Sequence, residues 1–422
     1  MLGYAGALGL AHFLVIGKPF AYQGFEPVPP NPLHLLLVAL PYYLCIRRLP
    51  SSWERPSALV YWALFGLVVA PVHVLPVFIE QPDPSVWIMV YTVAGCFWLL
   101  GGIYSIEPPR LPRPTVPPRI YWAGFAVTAL GMLALLLATY GLHFEFTSWS
   151  SFYDVRGEFK DAREDAPRIT GYVLPWLGQV LAPIAIARGL LNRSVPWLVG
   201  GVLTELLLVS MTGYKSLLFS SALIIGIVLI ARFTDVRKIG LRISVLATSS
   251  VLAVTLLDVV LNNTTLSSLL VRRGIMVAGL NTRYFFEFFS DFPKLHLGHS
   301  VLGFWVDYPY ETSPPNLIGL VYYGNPYTSA NVNIWADAYS NFGVLGMLVF
   351  TALLGMALLL VDASTRAGAP RLLVLAPLAM IALGLSNSAL LTVFMTHGLL
   401  LTLILVYLMP RGMQPESASG QP

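Results

Sequence analysis

Apolar runs close to the ~20 residues needed to cross a hydrocarbon core recur along this 422-residue chain, and no other feature constrains its fold as strongly. They fall at roughly 1–17, 33–46, 57–79, 86–105, 120–142, 171–187, 195–211, 215–231, 242–261, 340–361, 371–386 and 389–409. Inside a bilayer the backbone must satisfy its own hydrogen bonds, so runs of this length predict helices. The expected fold is an all-α polytopic membrane protein with about twelve transmembrane helices, a single integral membrane domain over 1–422. A mean hydropathy of +0.71 and a charged content of 11% agree with this.

Orientation follows from Lys and Arg, which cytoplasmic loops retain and short translocated loops avoid. Arg47, Arg48 and Arg55 fall in one connection; Arg110, Arg113 and Arg119 in another; Arg188 and Arg193 in a third. Arg232, Arg237, Lys238 and Arg242 follow, then Arg366 and Arg371, then Arg411. These alternate with the spans, so both termini are expected on the cytoplasmic side. The loop "EQPDPS", Glu80 to Ser85, carries acid and no base, as an outer loop would. The first apolar run lacks a basic leader and reads as a span, not a cleaved signal. "EPPRLPRPTVPPR", Glu107 to Arg119, reads as a stiff cytoplasmic linker, and 411–422 as a disordered cytoplasmic tail.

Several function classes lack any support. The net charge of +4 and pI near 9.0 are ordinary for a chain with this loop bias and imply no nucleic-acid partner. Cys45 and Cys96 show no metal spacing and no disulfide framework. No Walker A motif, glycine-rich dinucleotide turn or HExxH occurs, and the outer loops hold no DxD-like aspartate pair. Neither a cofactor nor a metal is expected.

Two outer segments depart from the pattern. The charged loop 143–170 contains "YDVRGEFKDAREDAPR", with Arg156, Lys160, Arg163 and Arg168 among Glu145, Asp154, Glu158, Asp161, Glu164 and Asp165. The interval 262–340, between the ninth and tenth helices, is too long for a bare loop and is expected to be partly helical. Thr264 to Pro293 has helical apolar spacing, and the Tyr-, Asn-, Pro- and Gly-rich stretch after it reads as an ordered irregular loop entering the tenth helix.

These segments, with the turn "MTGYKS", bring cations to one face: Arg156, Lys215 at a helix start, Arg272 and Arg273 in "LVRRG", and Arg283. Such a set fits a polyanion, and in a membrane enzyme a lipid diphosphate, because guanidinium forks and helix N-termini both favour phosphate oxygens. Each cation has a plainer reading: i,i+4 pairing on a solvated helix, a headgroup anchor, or a snorkelling lysine. Candidate bases on the same side are Asp337 first and His299 second, with Glu287, Asp291 and His296 also present; capping or surface roles are the alternatives. Glu205, Asp258, His12, His73 and His397 fall within spans, where ionisable groups are costly unless paired or functional.

"FYDVRGEF", "TGYKSLLFS", "LVRRGIMVAGLNTRYFFEFF" and "NLIGLVYYGNPYTSANVNIWADAYSNFGVLG" occur in this order, and across roughly 145–350 they resemble Wzy-type O-antigen repeat-unit polymerases of bacteria. The arginine-to-glycine spacing known in some members is absent at Arg156 and Arg273. The resemblance implies a GT-C-like, metal-independent membrane glycosyltransferase of the bacterial inner membrane with its site facing the periplasm. It implies undecaprenyl-diphosphate-linked glycans as donor and acceptor, and a chain-length regulator as a possible partner besides membrane lipids. By position, Arg156 and Arg273 would hold the donor diphosphate with Lys215, and Asn331, Asn333 and Asp337 would lie near the site; Tyr153 and Tyr323 are further candidates for glycan contact. An O-antigen ligase using the same donor, or a lipid-linked oligosaccharide flippase or transporter, would carry the same outer cations.

Overall fold

A computed structural model describes residues 1–142, 151–300 and 303–411 of the chain. The expected tail, 412–422, and the first part of the charged loop, 143–150, lie outside the described residues. All regular structure among the described residues is helical. Among the described residues eight helices are long and apolar enough to cross a membrane: Ala58–Phe78, Pro84–Tyr104, Pro118–Tyr140, Thr170–Asn192, Val195–Thr212, Ile239–Val260, Ile334–Arg366 and Leu390–Leu408. Shorter apolar helices, Leu2–Ile16, Pro32–Arg47, Phe219–Phe233 and Arg371–Asn387, occupy the other expected positions in chain order. The protein is thus an α-helical polytopic membrane protein.

The two ends of the bundle are built differently. At one end several of the basic residues of the sequence cover carbonyls at helix ends and in the connections beside them. Arg55 donates to the carbonyls of Tyr104 and Ile106, and Arg232 to that of Leu190. Arg371 donates to Trp53, and Arg366 donates to Pro108 and pairs with Glu107. Arg113 joins two helix ends at once, donating to Ser364 and Ala367 and to Val406, Tyr407 and Met409. A carboxylate buried at this end, Asp362, accepts from the backbone N–H and hydroxyl of Ser57.

At the opposite end, helix starts carry side-chain caps. Asn31 accepts from Leu33 and His34 with Pro32 in the first turn, and Asp83 accepts from Ser85 with Pro84 behind it; a third cap, Asn333 accepting from Trp335 and Ala336, lies deeper in the bundle. The charged stretch forms the amphipathic helix Ser151–Asp165, which buries Val155 and Phe159 one turn apart and leaves its charges from Arg156 to Asp165 exposed. Among the described residues no ion pair closes within this helix. Solvation of one helix face therefore accounts for most of its charges.

The segment Ile334–Arg366 is not one straight rod. Phe342 and Gly343 leave helical geometry, Gly343 with φ 61° and ψ −152°. Sixteen residues along a straight helix span about 24 Å, yet the Trp335 indole N–H donates to the Thr351 hydroxyl at 2.9 Å. The first limb, up to Asn341, therefore folds back along the second. Gly346 permits this contact, because a Cβ there would lie 2.7 Å from the Ala338 carbonyl oxygen. Trp335 is fully buried against Phe97, which lies about 20 Å along the helix from Pro84. The chain before Asn333 thus dips into the bundle and the first limb brings it out again. Such re-entrant backbone is tolerated at membrane depth only where protein buries it or a polar cavity lines it.

Candidate functional site

The reversed limb carries Asp337 into a cavity of about 280 Å³. Asn331, Asn341, His299, Ser300, Thr392 and Thr396 supply polar groups to its wall, with Phe285, Leu295 and Leu297 as apolar lining. Asp337 has no cation within ion-pair distance among the described residues. The Asn341 amide donates to its backbone carbonyl at 2.9 Å and reaches its carboxylate at 3.5 Å. His299 is exposed and lies against the Tyr308 ring.

A second helix break forms the far wall. Leu390–Met395 ends before Gly398, whose φ of 83° starts Leu399–Leu408. A Cβ at Gly398 would sit 2.5 Å from a Val180 methyl carbon, so glycine is required for both conformation and space. The freed Met395 carbonyl accepts from the Trp176 indole at 2.7 Å, and His397 bonds Gln179 at 2.8 Å.

Thr396 lines a neighbouring cavity as well, together with Arg163, Tyr140, Gln179, Tyr214 and His397. The turn Gly213–Tyr214, opened by Gly213 at φ 64°, sets the Tyr214 ring against Phe159 and beneath the Arg156 guanidinium, 5.2 Å from the ring centre. Arg156 is exposed, and Lys215 begins the next helix. The charged helix and the "MTGYKS" turn, separate in sequence, thus meet beside a cavity that shares a wall with that of Asp337. The side chains of Tyr153 and Lys215 lie outside the described residues.

The remaining expected cations stand elsewhere. Arg283 is held between Glu287 at 2.5 Å and Glu26 at 3.2 Å. Burial alone would lower it, but these two carboxylates reverse that and hold it above its usual value. Its expected place in a diphosphate clamp gives way to an ion-pair cluster that ties the segment after Ile16 to the helix Val277–Asp291. Arg272 is buried on the π-helical stretch Ser267–Met276, donates to Gln23 and Ser268, and covers the Phe20 ring at 4.0 Å. Burial and the adjacent Arg273 both lower it. Arg273 is exposed. None of the three lines either cavity.

The asparagines divide similarly. Asn331 lines the Asp337 cavity. Asn333 is fully buried, capping its helix with its oxygen and donating to Thr282 with its nitrogen, so it acts here as a structural cap out of reach of the cavity. Tyr323 donates to Asn281, whose own amide bonds the Asn331 carbonyl; it supports the cavity wall from behind. Asp258 accepts from the backbone of Ser267 and Leu266, and His12 and His73 bond the carbonyls of Glu26 and Val69, which are structural roles. Sequence reasoning gave no weight to Asn341, Gln179 or Thr396; only the two chain breaks bring them to the site. Among the described residues no group of three or more His, Cys, Asp or Glu side chains is placed to hold a metal ion.

Comparison with models of protein families, with curated proteins and with solved structures finds no match to this chain.

Proposed function

We propose that the protein is a membrane glycosyltransferase that joins polyprenyl-diphosphate-linked oligosaccharide units, acting on the side of the membrane opposite its basic end. The observation that carries this reading is one shared wall. Thr396 separates a cavity holding the Asp337 carboxylate, free of cations, from a cavity holding Arg163 and bordered by Arg156. An acid-lined and a cation-lined chamber side by side suit a transfer in which an acceptor hydroxyl displaces a diphosphate.

In that reaction the acceptor oxygen forms a bond to the anomeric carbon as the carbon–oxygen bond to diphosphate breaks. Asp337 would take the hydroxyl proton, and negative charge would grow on the departing diphosphate. Arg156, Arg163 and the helix start at Lys215 would stabilise that charge most strongly in the transition state. Asn331 and Asn341 would orient sugar hydroxyls beside Asp337. The positive-inside rule favours the basic end as cytoplasmic, so in this reading the site would face the periplasm across a bacterial inner membrane.

A second reading rests on the two interrupted helices, at Phe342–Gly343 and Thr396–Gly398, both bordering the cavity. Broken helices around a polar chamber are also how secondary transporters bind substrate. The test is purified protein in nanodiscs with a polyprenyl-diphosphate repeat unit and EDTA, the products separated on a gel. A ladder of longer lipid-linked glycans supports the transferase. The unchanged glycan lipid appearing across a sealed bilayer, with no ladder, replaces it with a transporter.

A further inference from the structure

A lateral groove of about 240 Å³ lies between the helices Pro118–Tyr140, Thr170–Asn192 and Val195–Thr212. Its walls are apolar or small, with Phe125, Leu130, Leu181, Trp197, Gly200 and Thr204 among them. Two of the three helices are peripheral, only 22% and 39% buried along their apolar windows, so the groove opens toward the surroundings of the bundle. From Trp197 to Thr204 it runs about 10 Å along the helix axis, away from the basic end.

At the mouth of the groove stands Arg188. Its guanidinium sits in the corner of an edge-to-face indole pair, 3.6 Å from the Trp122 ring centre and 4.7 Å from that of Trp197. Its Nε is buried without a hydrogen-bond partner. Arg48, at the same end, likewise rests on an indole, that of Trp98 at 3.9 Å, but the orphaned Nε is buried only at Arg188 among the described arginines. Arg55, Arg113, Arg232, Arg366 and Arg371 all donate to backbone carbonyls, whereas Arg188 donates to no described protein group and meets no carboxylate. A guanidinium N–H left unmet beside apolar rings is costly, and the Nε–H of Arg188 is so placed.

We infer that this is a binding site for an anionic phospholipid, its phosphate on Arg188 and one acyl chain in the groove. Charge complementarity fixes the headgroup end, because Arg119 in the first turn of Pro118–Tyr140 and Arg193 at the end of Thr170–Asn192 are exposed on two of the three groove helices and would favour a headgroup without its own ammonium. The apolar walls fix the chain end. The two indoles hold the guanidinium at the level of the headgroups, where Trp is favoured. The site is independent of the proposed reaction.

The test is native mass spectrometry of the detergent-solubilised protein titrated with phosphatidylglycerol, with phosphatidylcholine and inorganic phosphate as comparisons. Arg188→Gln removes the phosphate contact. Gly200→Leu fills the groove from a position where a Cβ meets nothing within 4 Å. Each variant is expected to weaken phosphatidylglycerol binding about tenfold or more, and millimolar inorganic phosphate should not compete. Undiminished binding in Gly200→Leu overturns the site even if Arg188→Gln does not fold. Loss in Arg188→Gln alone, or displacement by inorganic phosphate, would reduce it to a headgroup contact and overturn the chain assignment.

Discussion

Arg113 at the basic end of this bundle and Arg156 and Arg163 at the other have opposite employment. At the basic end, Arg113 alone bonds carbonyls from two helix termini. At the other end, Arg156 lies on an aromatic ring and Arg163 faces a cavity, while Asp337 has no cationic partner. The same residue types are consumed in one place and left available in the other. A charged group whose bonding capacity is spent on helix ends stabilises the fold; one left unspent beside a chamber is free to meet substrate.

That contrast is broken or sharpened by substitution. The largest effect is expected for Asp337→Asn, which keeps the shape of the cavity wall but removes the base: turnover should fall by about 10²- to 10⁴-fold with an unchanged melting temperature. Gly343→Ala comes next. With φ 61° and ψ −152° the position is open almost only to glycine, so the reversal should lose about 1–3 kcal/mol and activity should fall together with thermal stability. The third test is a pair. Arg113→Ala should lower stability by at least about 1.5–3 kcal/mol and leave the donor KM of the folded fraction alone. Arg156→Ala should raise donor KM about tenfold and leave the melting temperature unmoved. If the two exchange behaviours, the division between the ends fails.

The smallest effect is a pH dependence. Lys294 sits between the Phe289 carbonyl and the Tyr339 ring, and burial lowers it from 10.5 to about 8. A lysine whose folded value is depressed binds fewer protons in the folded state between those two values, so stability should rise with pH from about 8 to 10.5. Thermal unfolding across that window should show the rise in the parent and a flatter profile in Lys294→Met.

Most of the fold was legible in the sequence because apolar length and basic loops act over whole segments. The helix positions followed from run length alone, and several of the basic residues that indicated orientation prove also to close helix ends. The reversal at Gly343 was not legible: "AYSNFGVLG" continues an apolar pattern in either conformation, and only the bond from Trp335 to Thr351 reveals the fold-back. Asp337 could be singled out only as one of several outer carboxylates and histidines, placed near the site by the family resemblance. Which arginines share its neighbourhood could not be read, since Arg163 and Arg283 look alike in sequence and differ only in whether carboxylates reach them. The expectation at Asn333 gave way for a similar reason, an N-cap being defined by the conformation of the residues after it.

The most direct test of the division is a cryo-EM structure with a non-reactive polyprenyl-diphosphate glycan bound. The expected result is diphosphate density within hydrogen-bond reach of Arg156 or Arg163 and sugar density reaching past Thr396 to Asp337. Diphosphate seated on Arg272 and Arg273, with the Asp337 cavity empty, would contradict it.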